Sequence, residues 1–225
     1  MRGAFLAVIL VAIVSNAGAS EIAPRTLYLV RHGFYDHEDP GDPDVGKALV
    51  PLGVAQARLV AARLQAFPAM TAIRTSTMTR ARQTALVIGE SFPRLAVEET
   101  RLLRECTPPS RRQEVMAGLE PGEPEACVEQ LEEAFATLFV PSNEGERHEV
   151  LVCHGNVIRY LATRALGVDS EAWLGFGIGN CSVTVIRVNP DGSMKVLSFG
   201  DVGHIPPNLQ TGWDAVDRGL AVPRE

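Results

Sequence analysis

Two histidines in this chain each follow an apolar run and precede a glycine, in Leu27-Tyr28-Leu29-Val30-Arg31-His32-Gly33 and Val150-Leu151-Val152-Cys153-His154-Gly155-Asn156. Short apolar runs bounded in this way read as buried strands, so each motif delivers one imidazole to a strand's carboxyl end. In an open α/β sheet that edge is where ligands bind, and glycine lets the backbone approach closely. Arg31 beside His32 points to an anionic substrate, because a planar guanidinium matches phosphate or carboxylate oxygens. Either histidine alone reads as an ordinary buried residue; the pair implies one shared crevice.

A third segment, Arg74-Thr75-Ser76-Thr77-Met78-Thr79-Arg80-Ala81-Arg82-Gln83-Thr84, puts a hydroxyl-rich turn and an arginine just inside a helix that follows a strand. Arg80 is placed to reach the same crevice, although taken alone it reads as a solvated helix-surface arginine. The other histidines, His37, His148 and His204, form no H-x-x-x-H pair, and the cysteines do not cluster with them. The sequence therefore implies no metal site and no cofactor.

The elements that must position these groups follow from pattern and punctuation. Thr26 to Val30 is a strand, followed by a polar Asp-, Gly- and Pro-rich loop from Phe34 to Val50. Pro51 opens a helix through Ala66, with Val54, Ala57, Ala61 and Leu64 on one face. Thr71 to Arg74 is a short strand. The next helix, capped by Thr77 or Thr79, runs to about Ser91, with Pro93 beyond its end. Leu103 to Gly122, which contains Pro108, Pro109 and Pro121, reads as an irregular insertion near the site. A helix starts at Pro124, with Val128, Leu131, Phe135 and Leu138 inward and a solvated acidic face. The strand Val150 to Cys153 leads into a helix from about Asn156 to Leu166 that ends at Gly167, and helix amides at such a turn can receive an anion. Ser182 to Val188 and Lys195 to Phe199, around Asn189-Pro190-Asp191-Gly192, form a hairpin, so the α/β chain carries a mixed sheet.

With 225 residues, 46% of them hydrophobic, the chain suits one globular domain with a sizeable core. Its net charge of −6 argues against general nucleic-acid binding, so an anion site here is a local basic pocket. Arg2, the apolar run Ala4 to Val14 and Ala17-Gly18-Ala19 read as a signal peptide over residues 1–19, leaving residues 20–225 as the single domain with its insertion around 103–122. That reading implies an exported protein, periplasmic or extracellular. The alternative is an uncleaved segment that anchors the chain in a membrane. Cys153 and Cys181 fall in core strands as small hydrophobes. Export would permit a Cys106–Cys127 disulfide, which sequence alone does not establish.

Taken in order, Leu-x-Val-Arg-His-Gly, Thr-Ser-x-x-x-Arg-Ala-x-x-Thr, Leu-Arg-Glu and Cys-His-Gly-Asn resemble the histidine phosphatase, or phosphoglycerate mutase-like, superfamily over about Thr26 to Pro207. Within it, Val152 to Tyr160, Glu171-Ala172-Trp173-Leu174, Gly200-Asp201-Val202-Gly203 and Pro206-Pro207 are similar to the mitochondrial serine/threonine protein phosphatases of that superfamily. The resemblance implies a three-layer α/β/α fold with a mostly parallel mixed sheet. It also implies His32 as nucleophile, Arg31, Arg80 and His154 as holders of the phosphoryl oxygens, and Glu105 as proton donor. Asp36 or Glu38 is the alternative donor. Arg82, turned by about 200° from Arg80 on a helix, is expected to be exposed.

The chemistry that such residues support is transfer of a phosphoryl group to a neutral imidazole, followed by hydrolysis of the phosphohistidine. Two guanidiniums and a second imidazole would balance the charge on the equatorial oxygens without Mg²⁺. Phosphoglycerate mutases follow Arg-His-Gly with Glu-Ser and a Trp-Asn, whereas this chain reads Phe34-Tyr35-Asp36-His37. The expected activity is therefore a metal-independent phosphatase whose partner is a phosphorylated substrate, a phosphoserine or phosphothreonine protein in the first instance. The alternatives are a small phosphate ester, a mutase reaction, or a non-catalytic phospholigand-binding module. Arg111-Arg112 is a basic pair that could meet an anionic substrate tail.

Overall fold

The computed structural model describes residues 21–38, 40–41 and 45–212. Six strands form one sheet in the order β3-β2-β4-β1-β5-β6. They are β1 (Arg25–Arg31), β2 (Ala72–Ser76), β3 (Val97–Thr100), β4 (Arg147–Cys153), β5 (Val183–Val188) and β6 (Met194–Asp201). The pairs β3/β2, β2/β4 and β4/β1 are parallel, and β5 is antiparallel to both of its neighbours. Only β5 therefore runs against the rest, giving the mixed, mostly parallel sheet.

The layers follow from the two-residue period of a strand. Leu27 and Leu29 of β1 and Leu151 and Cys153 of β4 point to one face, where α4 (Glu123–Leu138) and α5 (Gly155–Leu166) cover them with Leu131, Leu138, Val157, Ile158 and Leu161. Tyr28, Val30, Val150 and Val152 point to the other, against α1 (Pro51–Gln65) and α2 (Thr79–Gly89) through Val60, Leu64, Ala81, Ala85 and Ile88. Leu27, Leu29 and Leu151 are fully buried, each stabilising the fold by roughly 1.5–3 kcal/mol. Because both central strands are covered on both faces, their inner stretches, residues 27–30 and 150–153, are continuously apolar.

Helix boundaries track the local chemistry. Pro51 occupies the first turn of α1, where its missing N–H loses no hydrogen bond. α5 stops at Gly167, whose φ of +67° puts it in the left-handed region that closes a helix. Three features depart from the sequence reading. Residues 97–100 form the edge strand β3, where two exposed glutamates between half-buried Val97 and Thr100 carry little apolar signal. The span read as irregular follows a 3₁₀ turn at Arg101–Leu103 and contains the single-turn α3 (Gln113–Met116). β4 also begins earlier than Val150, at Arg147, because pairing with β1 extends through polar residues.

The chain leaves β1 through α1 on one face and leaves its neighbour β4 through α5 on the other. The carboxyl ends of β1 and β4 thus bracket a topological switch point, the place where an open α/β sheet forms a crevice. The register pairs Arg31 with Cys153, so the residues that follow, His32 and His154, emerge side by side.

Candidate functional site

His32 leaves β1 with its amide still bonded to the Cys153 carbonyl, at 3.0 Å. Its ring is 2% exposed. Nδ1 lies 2.8 Å from the Gly33 carbonyl, an acceptor only, which assigns the ring proton to Nδ1. Nε2 is thereby left with its lone pair and accepts the Arg80 Nε–H at 3.1 Å. Burial first, and then the proximity of His154, Arg31 and Arg80, hold the His32 pKa well below the usual histidine range. At neutral pH this imidazole is uncharged.

The backbone around His32 is held by side chains from three other segments. The Gly33 amide donates to Thr84 Oγ1 at 3.0 Å, and that hydroxyl donates back to the Arg80 carbonyl at 2.7 Å. The Phe34 amide donates to Gln56 Oε1, and Asn180 Nδ2 donates to the His32 carbonyl, both at 2.9 Å. Gln56 Nε2 donates in turn to the Leu209 carbonyl and Thr211 Oγ1, so the strand-end loop, α1 and the segment around residue 211 form one network. Such a network fixes the orientation of the His32 ring without contact from any ligand.

Arg80, in the first turn of α2, is 8% exposed, with its guanidinium 4.9 Å from the centre of the Tyr35 ring. Arg31 donates through Nη1 to the carbonyls of Ile178 at 2.6 Å and Gly212 at 2.9 Å, while its shielded Nε has no partner. His154 precedes the first turn of α5 and is fully buried. Its ring centre is 5.1 Å from that of His32, and its Nε2 is 2.8 Å from Ser76 Oγ. Burial, then Arg80, Arg31 and Arg104, hold its pKa well below the usual range.

Glu105 stands on the other side of His154, with Oε2 3.9 Å from His154 Nδ1. Its side chain is 27% exposed, yet Oε1 is shielded and meets no donor. Burial raises its pKa to about 6, against the opposing pull of Arg31 and Arg80. The structure thus brings together all five residues expected from the sequence: Arg31, His32, Arg80, Glu105 and His154. It leaves the others outside. Asp36 and Glu38 are exposed, with the Glu38 amide bonded to Asp36 Oδ1 at 2.9 Å. Arg82 is 43% exposed and pairs with Glu99. Arg111 pairs with Asp169, and Arg112 lies 3.8 Å from Glu114.

Ser76, Thr84, Gln56, Asn180, Tyr35 and the Leu209–Gly212 segment carried no assigned role in the sequence reading. Ser76 and Thr84 lie within the motif quoted there, and Thr84 is one helical turn from Arg80, which is the available signal. Gln56 and Asn180 meet partners 22 to 155 positions away, which no local pattern encodes. Among the described residues no group of three or more His, Cys, Asp or Glu side chains could hold a metal ion.

The chain is 38% identical over 194 residues to the mitochondrial serine/threonine-protein phosphatase Pgam5 of Caenorhabditis elegans, covering 83% of this chain and 66% of that protein. It is 33% identical over 204 residues to the human protein of the same name, covering 84% of this chain and again 66% of the relative. The chain thus spans just under two thirds of the length of these relatives. Among solved structures, Bacillus stearothermophilus YhfR superposes with a TM-score of 0.66 at 25% identity, covering 80% of this chain and 99% of that one.

The mitochondrial relatives overturn the expectation of an exported protein and lend no support to the signal-peptide reading of residues 1–19. One arginine followed by a short apolar run is a compositional pattern that does not by itself specify a destination. Those residues lie outside the described part, and among the described residues no helix is long and apolar enough to cross a membrane. The family model for the histidine phosphatase superfamily, branch 1, matches residues 27–201, the span that contains both histidine motifs, Arg80 and Glu105, and the chain belongs to that superfamily.

Proposed function

We propose that this chain is a metal-independent phosphatase that hydrolyses phosphate monoesters on serine or threonine of proteins through a phosphohistidine at His32. The observation that carries the reading is the state of His32: Nδ1 is tied to the Gly33 carbonyl, and Nε2 is unprotonated beside Arg80. A buried neutral nitrogen among cations is what in-line attack on a phosphate ester requires.

In the first half-reaction Nε2 bonds to phosphorus as the ester oxygen leaves with its electron pair. Arg31, Arg80 and His154 bind the equatorial oxygens, whose charge they balance in a site shielded from water. Glu105, protonated, gives its proton to the leaving oxygen. In the second half-reaction the Glu105 carboxylate takes a proton from water as that water attacks phosphorus and His32 leaves. A pKa of about 6 suits a group that must act once as acid and once as base near neutrality.

Phosphoproteins are favoured over small esters because the relatives that match over most of this chain are named serine/threonine-protein phosphatases. Rapid-quench turnover of a ³²P-phosphoserine peptide should trap acid-labile, base-stable label on the protein. His32→Ala should remove both label and turnover, and a chelator should change neither. Acid-stable label, or label that persists in the variant, contradicts the reading. Equal kcat/KM for phosphopeptides and small phosphate esters removes the protein-substrate part alone.

A further inference from the structure

Glu105 lies in a segment with little regular structure of its own. Between the 3₁₀ turn that ends at Leu103 and the start of α4 at Glu123, the chain forms only the four-residue α3. A carboxylate that must meet a leaving oxygen within hydrogen-bond reach therefore needs anchoring from outside.

The structure supplies that anchoring on both sides of the residue. On the amino side, Gln130 Nε2 of α4 donates to the carbonyls of Leu102 at 3.3 Å and Arg104 at 2.9 Å. On the carboxyl side, Asn156 Nδ2, one residue into α5, donates to the Cys106 carbonyl at 3.2 Å. Cys106 itself is joined to Cys127 by a disulfide, with the two Cα atoms 5.5 Å apart. Cys127 sits on the buried face of α4 at 2% exposure, in line with Leu131 and Leu138. The residue next to Glu105 is thus bonded covalently to a helix packed into the core, and the bond closes a 21-residue separation that bears four prolines.

From this placement we infer that Cys106 and Cys127 are positioning residues for the proton donor, and that a dithiol reductant slows the acid-dependent step by opening their bond. This inference rests on Glu105 being the donor. The exchange balances: the two sulfurs of the dithiol pass two electrons and two protons to the cystine sulfurs and close into the reductant's own disulfide. Once open, the segment keeps only the hydrogen bonds from Gln130 and Asn156, and the 20 residues between the cysteines regain freedom that the cross-link removes. Glu105 then samples positions out of line with the leaving oxygen, while His32, Arg31, Arg80 and His154, held by the sheet and by α2, stay in place.

The test uses leaving groups that differ in their need for a proton. Phenolate leaves poorly without one; p-nitrophenolate leaves well. Incubation of the folded full chain with dithiothreitol, with thiols counted before and after, should lower kcat/KM for phenyl phosphate about tenfold and that for p-nitrophenyl phosphate by less than about threefold, a fraction of the roughly 10²-fold that a general acid contributes. Reoxidation with glutathione disulfide should restore both. Cys106→Ala/Cys127→Ala should reproduce the reduced behaviour, and far-UV circular dichroism of the reduced wild type shows whether the fold persists if that variant does not accumulate. An equal fall with both substrates, or none after two new thiols appear, overturns the inference. Glu105→Gln is the reference: a phenyl-selective loss there without one on reduction sinks the disulfide's role alone, whereas no selectivity in Glu105→Gln sinks the donor assignment and the inference with it.

Discussion

Glu105 and His32 titrate in opposite senses, and the difference sets the pH behaviour. In the proposed mechanism attack needs His32 unprotonated, a condition that its lowered pKa favours. Donation needs Glu105 protonated, which fails as pH rises through about 6. The ratio of kcat/KM between wild type and Glu105→Gln, in which the substrate's own ionisation cancels, should therefore fall tenfold per pH unit above that value with phenyl phosphate. A flat ratio across pH 5–8 would remove Glu105 from the acid role. The same shift is a stability statement. Since the folded carboxyl holds its proton more tightly than the unfolded one, stability falls as pH rises from 4.5 to about 6 and stays lowered above it. A shift of that size corresponds to about 2 kcal/mol. Glu105→Gln should therefore raise Tm at pH 7.5 by roughly 4–8 °C for a chain of this length, and by nothing below pH 4.5. A melting series across that range checks the sign: a variant less stable at pH 7.5 contradicts it.

The strand end that carries His32 is pressed against the first turn of α1. A Cβ added to Gly33 would lie 2.6 Å from the Gly53 carbonyl oxygen, too close for any side chain without a backbone shift. Gly33→Ala should displace His32 and its Thr84 and Gln56 contacts together, with kcat down by at least about tenfold, because small misplacements of a nucleophile are costly. Gly175→Ala, where nothing lies within 4 Å, should leave kcat unchanged, and steady-state kinetics on both variants decides the point. Much of this arrangement was legible beforehand. The apolar runs before His32 and His154 marked both central strands because strands covered on two faces read as near-continuous apolar runs. Pro51 and Gly167 marked two helix ends by backbone chemistry alone. β3 was not legible, since Val97-Glu98-Glu99-Thr100 is an edge strand whose order comes from pairing with β2. Arg31, His32 and His154 stood out by their motifs, Arg80 and Glu105 entered through the family resemblance, and Gln56 and Asn180 carried no signal. Their partners, Phe34, Leu209, Thr211 and the His32 carbonyl, meet them only once the sheet has formed. The Cys106–Cys127 bond, left open by the sequence, depended on where α4 would lie.

At the scale of the whole molecule the site is a seam between two separately packed halves. Arg80 comes from α2 on one face of the sheet, His154 from the start of α5 on the other, and Arg31 and His32 from the strand between them. Two buried guanidiniums close to two imidazoles repel one another, and burial lowers the pKa of Arg31 and of Arg80. The molecule holds this concentration of positive charge at a cost that a tetrahedral anion would relieve. A ligand that bridges both faces stabilises the fold as a unit, by about 2.7 kcal/mol at a hundredfold excess over Kd. Orthovanadate or inorganic phosphate should then raise Tm by roughly 5–10 °C, with a single transition throughout, while sodium chloride at matched ionic strength should not. Arg80→Gln should melt at or above the wild-type temperature without anion, since it removes a buried cation, and should lose most of the anion-induced rise. Differential scanning calorimetry of the two proteins gives both quantities, and a rise as large in Arg80→Gln as in wild type would place the anion somewhere other than this crevice.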